Sequence, residues 1–214
     1  MDFIPETGPL LAFTLAAVIL AITPGPDMTL FVGRTLAEGR RAGIAAMTGA
    51  LFGVLIHTTL AAFGLSALLA ASPTAFALLK IGGALYLAWL AVQAIRHGSS
   101  FNPQTAAGGA RRSFASNWLL GLGINLLNPK IILFFVTFLP SFVSAGDPHA
   151  SAKLFFFGVY FIVIGVPICL GIIFAAERIA ATLKRRPKVM RTIDYVFASV
   201  FSGFAVSILL ASSR

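Results

Sequence analysis

Thr23-Pro24-Gly25-Pro26-Asp27 and, about a hundred residues later, Asn128-Pro129-Lys130 interrupt two long apolar runs. Each puts a helix-breaking proline beside a charge at what should be mid-membrane depth. Lipid offers the backbone no hydrogen bonds, so a broken helix persists there only where it is packed in protein or lines a cavity. Two such breaks, at corresponding positions of two halves, point to the binding site of a secondary transporter.

The rest of the chain agrees with a membrane reading. Of 214 residues, 58% are hydrophobic and 11% charged, with a mean hydropathy of +0.92; a soluble domain keeps roughly a quarter of its residues charged. The net charge of +9 invites a nucleic-acid reading, but its distribution argues against one. Twelve of the sixteen Lys and Arg fall in three segments: Arg34, Arg40, Arg41; then Arg96, Arg111, Arg112; then Arg178, Lys184, Arg185, Arg186, Lys188, Arg191. Only Lys153 and Arg214 are left for the other side, with Lys80 and Lys130 inside apolar runs. That is the positive-inside pattern, which sets topology, and the last cluster also suits anionic lipid head groups. Cys169 is the only cysteine; it excludes an intrachain disulfide and reads as a small core hydrophobe. The three histidines are scattered, so no metal cluster is visible and no cofactor is called for.

An all-α membrane protein of six spans is expected, since a span needs about 20 apolar residues. The spans are Gly8–Gly33, broken at Thr23–Pro26; Ile44–Ala71; Phe76–Ile95; Phe114–Pro140, broken at Asn128-Pro129; Leu154–Ala176, bending at Pro167; and Tyr195–Ala211. With the basic loops cytoplasmic, both termini face outward. The first run lacks the basic lead-in and small-residue cleavage site of a cleaved signal peptide, so it is expected to remain a membrane helix. A Gly/Ser/Pro-containing stretch, His97–Arg112, separates two three-helix halves of one transporter domain, about 8–96 and about 113–211. Three helices is an odd number, so the halves must insert in opposite senses, as inverted repeats. Pro26-Asp27-Met28-Thr29-Leu30-Phe31-Val32 lies over Pro129-Lys130-Ile131-Ile132-Leu133-Phe134-Phe135.

At the first break Pro24 and Pro26 lack N–H groups and free the carbonyls of Leu20 and Ile22, with Gly25 adding backbone freedom between them. Pro26 suits the first turn of a new half-helix, which puts Asp27 at the positive end of its dipole. Asp27 then either serves transport, as intramembrane carboxylates do, or only stabilises the helix start. At the second break Asn128 is a good N-cap and Pro129 a good first residue, and Pro129 frees the Asn125 carbonyl. Lys130 has the wrong sign for a helix N-terminus, but helix N–H groups plus an ammonium make an anion site; the alternatives are pairing with Asp27 or snorkelling. An amino-acid substrate fits this pair of breaks: carboxylate at Lys130 and the Asn128-Pro129 helix start, ammonium at Asp27 and the freed carbonyls, with Thr23, Asn125 and Asn128 completing the polar shell. His57, the one ionisable residue of the second span, is either a proton relay or a histidine bonded within the bundle. Lys80 snorkels, Glu177 and Asp194 act as interfacial pairs or caps, and Gly49, Gly53, Gly82 and Gly83 mark close helix packing.

These motifs carry a resemblance. Thr23-Pro24-Gly25-Pro26-Asp27-Met28, the stretch Arg34 to Gly43, Leu79-Lys80 to Tyr86-Leu87, Asn125-Leu126-Leu127-Asn128-Pro129-Lys130 and Phe138-Leu139-Pro140-Ser141-Phe142-Val143 together resemble the LysE/RhtB amino-acid exporters of bacteria, over nearly the whole chain. The resemblance implies a multi-pass inner-membrane exporter of amino acids or their derivatives, driven by the proton-motive force. It implies as partners an amino-acid substrate, protons and membrane lipid, with a homodimer as a candidate assembly and no nucleic acid. Asp27 stands where the family pattern has asparagine, which leaves open whether it carries protons or contacts substrate. The alternative is a cation, metal or other small-metabolite exporter of the same architecture, against which the scarcity of intramembrane acids counts; a passive channel is a further one. An enzyme would need a nucleophile–base set or a metal motif, and no GxSxG or HExxH is present.

Overall fold

The computed structural model describes residues 5–97, 112–144 and 147–212, and every regular element among them is helical. In chain order these are α1 (Thr7–Ile22), α2 (Pro26–Glu38), α3 (Arg40–Leu60, running on through a π turn at Ala61–Leu65), α4 (Ser66–Ala71) and α5 (Pro73–His97). There follow α6 (Phe114–Leu126), α7 (Pro129–Leu133, extended by a π turn and a 3-10 turn to Phe142), α8 (Ala150–Phe174), α9 (Ala176–Arg185) and α10 (Pro187–Ser212). The expected linker His97–Arg112 lies outside the described residues apart from its ends, and so does the side chain of Lys80.

Both breaks arise from local chemistry. α1 stops at Thr23, whose N–H and hydroxyl both donate to Ile19 O, at 3.0 and 2.6 Å. Pro24 has no N–H for Leu20 O, the chain runs extended through Gly25, and α2 restarts with Pro26 in its first turn, bent by 47° from α1. α7 starts the same way: Asn128 Oδ1 accepts from Lys130 N at 3.1 Å as an N-cap, Pro129 follows, and the bend from α6 is 52°. One detail departs from expectation. The Asn125 carbonyl is not left free, because Asn128 N–H takes it at 3.0 Å in a tightened last turn.

Three helical stretches, Arg40–Leu65, Ala150–Phe174 and Lys188–Val206, are long and apolar enough to cross a membrane, and counting each bent pair as one span brings five among the described residues. α5, a helix of 25 residues, stands where the third of the six expected spans falls. The last span was expected at Tyr195–Ala211, but α10 already begins at Pro187 and its apolar stretch at Lys188. Asp194 is therefore inside the helix and buried, at 1% exposure, instead of capping its start. α8 runs unbroken through Pro167. Many large apolar side chains, among them Leu11, Leu60, Phe63 and Val163, are more than half exposed, the surface a lipid-facing helix presents.

Inside the bundle a cluster of phenylalanines ties the broken segments to α8. The Phe13 ring lies 5.7 Å from Phe134, 5.5 Å from Phe142 and 4.7 Å from Phe157. Such pairs contribute about 0.5–1.5 kcal/mol each beyond burial; in lipid, van der Waals packing of this kind replaces the missing hydrophobic drive between helices. α3 and α6 approach more closely still. A Cβ at Gly49 would collide with the Trp118 carbonyl, one at Gly121 with the Ala46 carbonyl, and one at Gly53 with the Asn125 side chain. Close packing thus accounts for Gly49 and Gly53, with α6 as the partner helix. Gly82 has open space around it, so close contact does not explain that glycine.

Candidate functional site

The bends carry the ends of α1 and α6 and the starts of α2 and α7 to the edge of one cavity of about 60 Å³, enclosed by α3 and α8. Thr23, Asp27, Asn125 and Lys130 line it together with Phe31, Val54, Phe161 and Ile172.

Lys130 makes the defining contacts. Its Nζ donates to Leu20 O at 3.0 Å and to Thr23 O at 2.8 Å, crossing from the second break to the first. Leu20 O is available because Pro24 cannot donate to it. The ammonium lies close enough that a Cβ at Gly25 would stand 3.3 Å from Nζ. Lys130 therefore neither snorkels nor forms its hydrogen bonds with the Asp27 carboxylate. Asp27 instead accepts through Oδ2 from Asn125 Nδ2 at 2.8 Å. Asp27 Oδ1, Asn125 Oδ1 and Asn128 Nδ2 are buried without a hydrogen-bond partner, and each such group costs about 1–3 kcal/mol. Polar capacity is thus concentrated where the two breaks meet.

The other expected site residues are placed as follows. Pro24, Gly25 and Pro26 form the first break, and Asn128 and Pro129 start α7. His57 is not among the cavity-lining residues; it is buried on α3, its ring 5.8 Å from that of Phe135 and its Nε2 without a partner. Cys169, expected to be a plain core hydrophobe, is on the cavity wall.

A second polar cluster escaped the sequence reading. Arg34, counted there among cytoplasmic loop charges, is buried at 1% exposure. It is ion-paired with Glu38 one turn along α2, and its Nε donates to Asn117 Oδ1 on α6 at 2.7 Å. Asn117 Nδ2 donates to Glu38 Oε2 at 3.0 Å, and Arg112 N–H to Glu38 Oε1 at 2.8 Å. The Arg34–Glu38 spacing of four residues was the available signal; its partner Asn117 lies on a distant segment. This network fastens the end of α2 to the start of α6.

Comparison with known proteins gives the family. The family model described as "LysE type translocator" matches residues 18–212. A homoserine/homoserine lactone efflux protein of Salmonella typhimurium is 32% identical over 203 residues, covering 95% of this chain and 96% of the relative. An uncharacterized membrane protein of Vibrio cholerae is 30% identical, covering 95% and 97%, and a leucine efflux protein of an Enterobacter species is 28% identical, covering 90% and 91%. No solved structure matches the chain. With the match running from inside α1 to the end of α10 and through both proline breaks, this membrane protein belongs to the LysE type translocator family.

Proposed function

We propose that the protein is a secondary active exporter of amino acids or amino-acid derivatives in the bacterial inner membrane, coupled to protons and working by alternating access. The observation that carries this reading is the meeting of Asp27, Asn125 and Lys130 in one cavity between two proline-broken helices. A carboxylate, an amide and an ammonium are the groups that recognise a zwitterion. The efflux named for the Salmonella and Enterobacter relatives supports the same substrate class. Among the described residues the cavity wall carries no charged group besides Asp27 and Lys130, which favours a substrate with a neutral side chain. Alternating access requires the broken helices to move around this cavity.

The architecture in this proposal is six spans in two inverted repeats: α1–α2 with α3 and α5, and α6–α7 with α8 and α10. Three features support it. The two breaks are bent by similar angles, 47° and 52°. α3 packs on α6, and its counterpart α8 packs on α1. α5 and α10, the last helices of each half, pack on each other. Basic loops on the cytoplasmic side then leave both termini outside.

Efflux of a radiolabelled amino-acid panel from expressing cells tests the reading. Neutral amino acids are expected to leave faster than from control cells, and a protonophore is expected to abolish the difference. Absence of any amino-acid efflux, with the protein verified in the membrane, refutes it.

A further inference from the structure

We infer that the Lys130 ammonium is a resident stand-in for the substrate's ammonium, and that loading proceeds by exchange of one for the other at the Leu20 and Thr23 carbonyls. The inference rests on the exporter reading and specifies how its site is filled.

Two backbone acceptors, at 3.0 and 2.8 Å from Nζ, already form a cradle for a primary ammonium. The first break supplies that cradle, because α1 ends at Thr23 and Pro24 leaves Leu20 O without its helical donor. The cradle belongs to one half of the chain and the lysine to the other, so the occupant is not built into the same helix. Asp27 and Lys130 line the same cavity, and the lysine side chain reaches from α7 to the carbonyls at the end of α1.

Electrostatics favours exchange over addition. A second ammonium brought beside an occupied cradle would set two cations a few ångströms apart, where Coulomb repulsion opposes it. Replacement leaves one cation on the carbonyls throughout. The displaced Lys130 ammonium, still on the first turn of α7, is then free to pair with the substrate's carboxylate, and withdrawal of its four-carbon stem enlarges the cavity. Binding a zwitterion this way adds no net charge to the site. A molecule lacking either charge completes only half of the exchange, which selects amino acids over simple amines or simple acids.

The test removes the resident cation and asks whether a free one takes its place. Lys130→Met keeps an unbranched side chain that ends one atom short of the ammonium and leaves both carbonyls without its donor. The purified variant is heated with n-butylammonium, tetramethylammonium or sodium, each as the chloride at equal concentration, and wild type is treated alike. Butylammonium is expected to raise the melting temperature of the variant by on the order of 3 °C near saturation, and to leave wild type unchanged. Tetramethylammonium has no N–H to donate and should have no effect. Overturning outcomes are equal shifts in variant and wild type, no shift in the variant, or an equal response to sodium, which would make the cradle a general cation site. If the methionine variant does not fold, Lys130→Ala, which also leaves the carbonyls without a side-chain donor, carries the same comparison; a larger shift with butylammonium than with tetramethylammonium is expected, and equal shifts overturn the inference. Because the readout is binding, it separates from the exporter reading: cells that export no amino acid refute the function while leaving a measured butylammonium shift in place.

Discussion

Asp27→Asn is expected to leave the purified protein folded while efflux falls to the level of cells lacking the protein. Asparagine has nearly the shape of aspartate and still offers Asn125 Nδ2 an oxygen in place of the 2.8 Å bond to Oδ2, so the junction of the breaks keeps its hydrogen bond. What disappears is the only acidic group among the described residues of the cavity wall, the one that exchanges protons in the proposed coupling. Lys130 then has the Leu20 and Thr23 carbonyls for partners but no counter-charge beside it. Reconstituted vesicles with an imposed proton gradient give the clearest measurement. Gradient-driven transport at the wild-type rate by the asparagine variant contradicts a coupling role for Asp27.

Arg34→Ala is expected to produce the largest loss of stability among single changes outside the cavity. Arg34 is a large side chain at 1% exposure, and its truncation leaves both a void and unpaired groups on Glu38 and Asn117. The melting temperature should fall by on the order of 10 °C. Arg34→Lys should recover only part of this, since lysine keeps the charge but lacks the planar fork that reaches Glu38 and Asn117 together. A change in the alanine variant of less than about 2 °C would show that the network fastening α2 to α6 contributes little.

Much of this structure was legible in the sequence where the cause is local. A proline removes its own N–H, and the pair Pro24 and Pro26 around Gly25, or Pro129 after Asn128, declares a helix break from local sequence alone, whereas the isolated Pro167 leaves α8 unbroken. Asn128 before Pro129 declares a helix start for the same reason. The contacts of Lys130 were not legible, because they depend on two bends, of 47° and 52°, that bring α7 to the end of α1. The freed carbonyls of Leu20 and Ile22 were expected to face a substrate's ammonium; in this structure Leu20 O faces the protein's own, with Thr23 O as the second acceptor. Arg34 was misassigned because positive charge near a helix end reads as loop charge until Asn117 is placed beside it. The start of α10 was set too late because Lys188, Arg191 and Asp194 at its beginning hid an apolar stretch that runs from Lys188 to Val206. Gly49 and Gly53 announced close packing, but only the fold says that α6 is the partner.

An experimental structure with a bound, exported amino acid tests the central claim most directly. The account predicts the amino acid between the two breaks, its ammonium on the Leu20 and Thr23 carbonyls beside Asp27, and its carboxylate at Lys130 and the start of α7. An amino acid bound elsewhere in the bundle, with Lys130 still on those carbonyls, would contradict it.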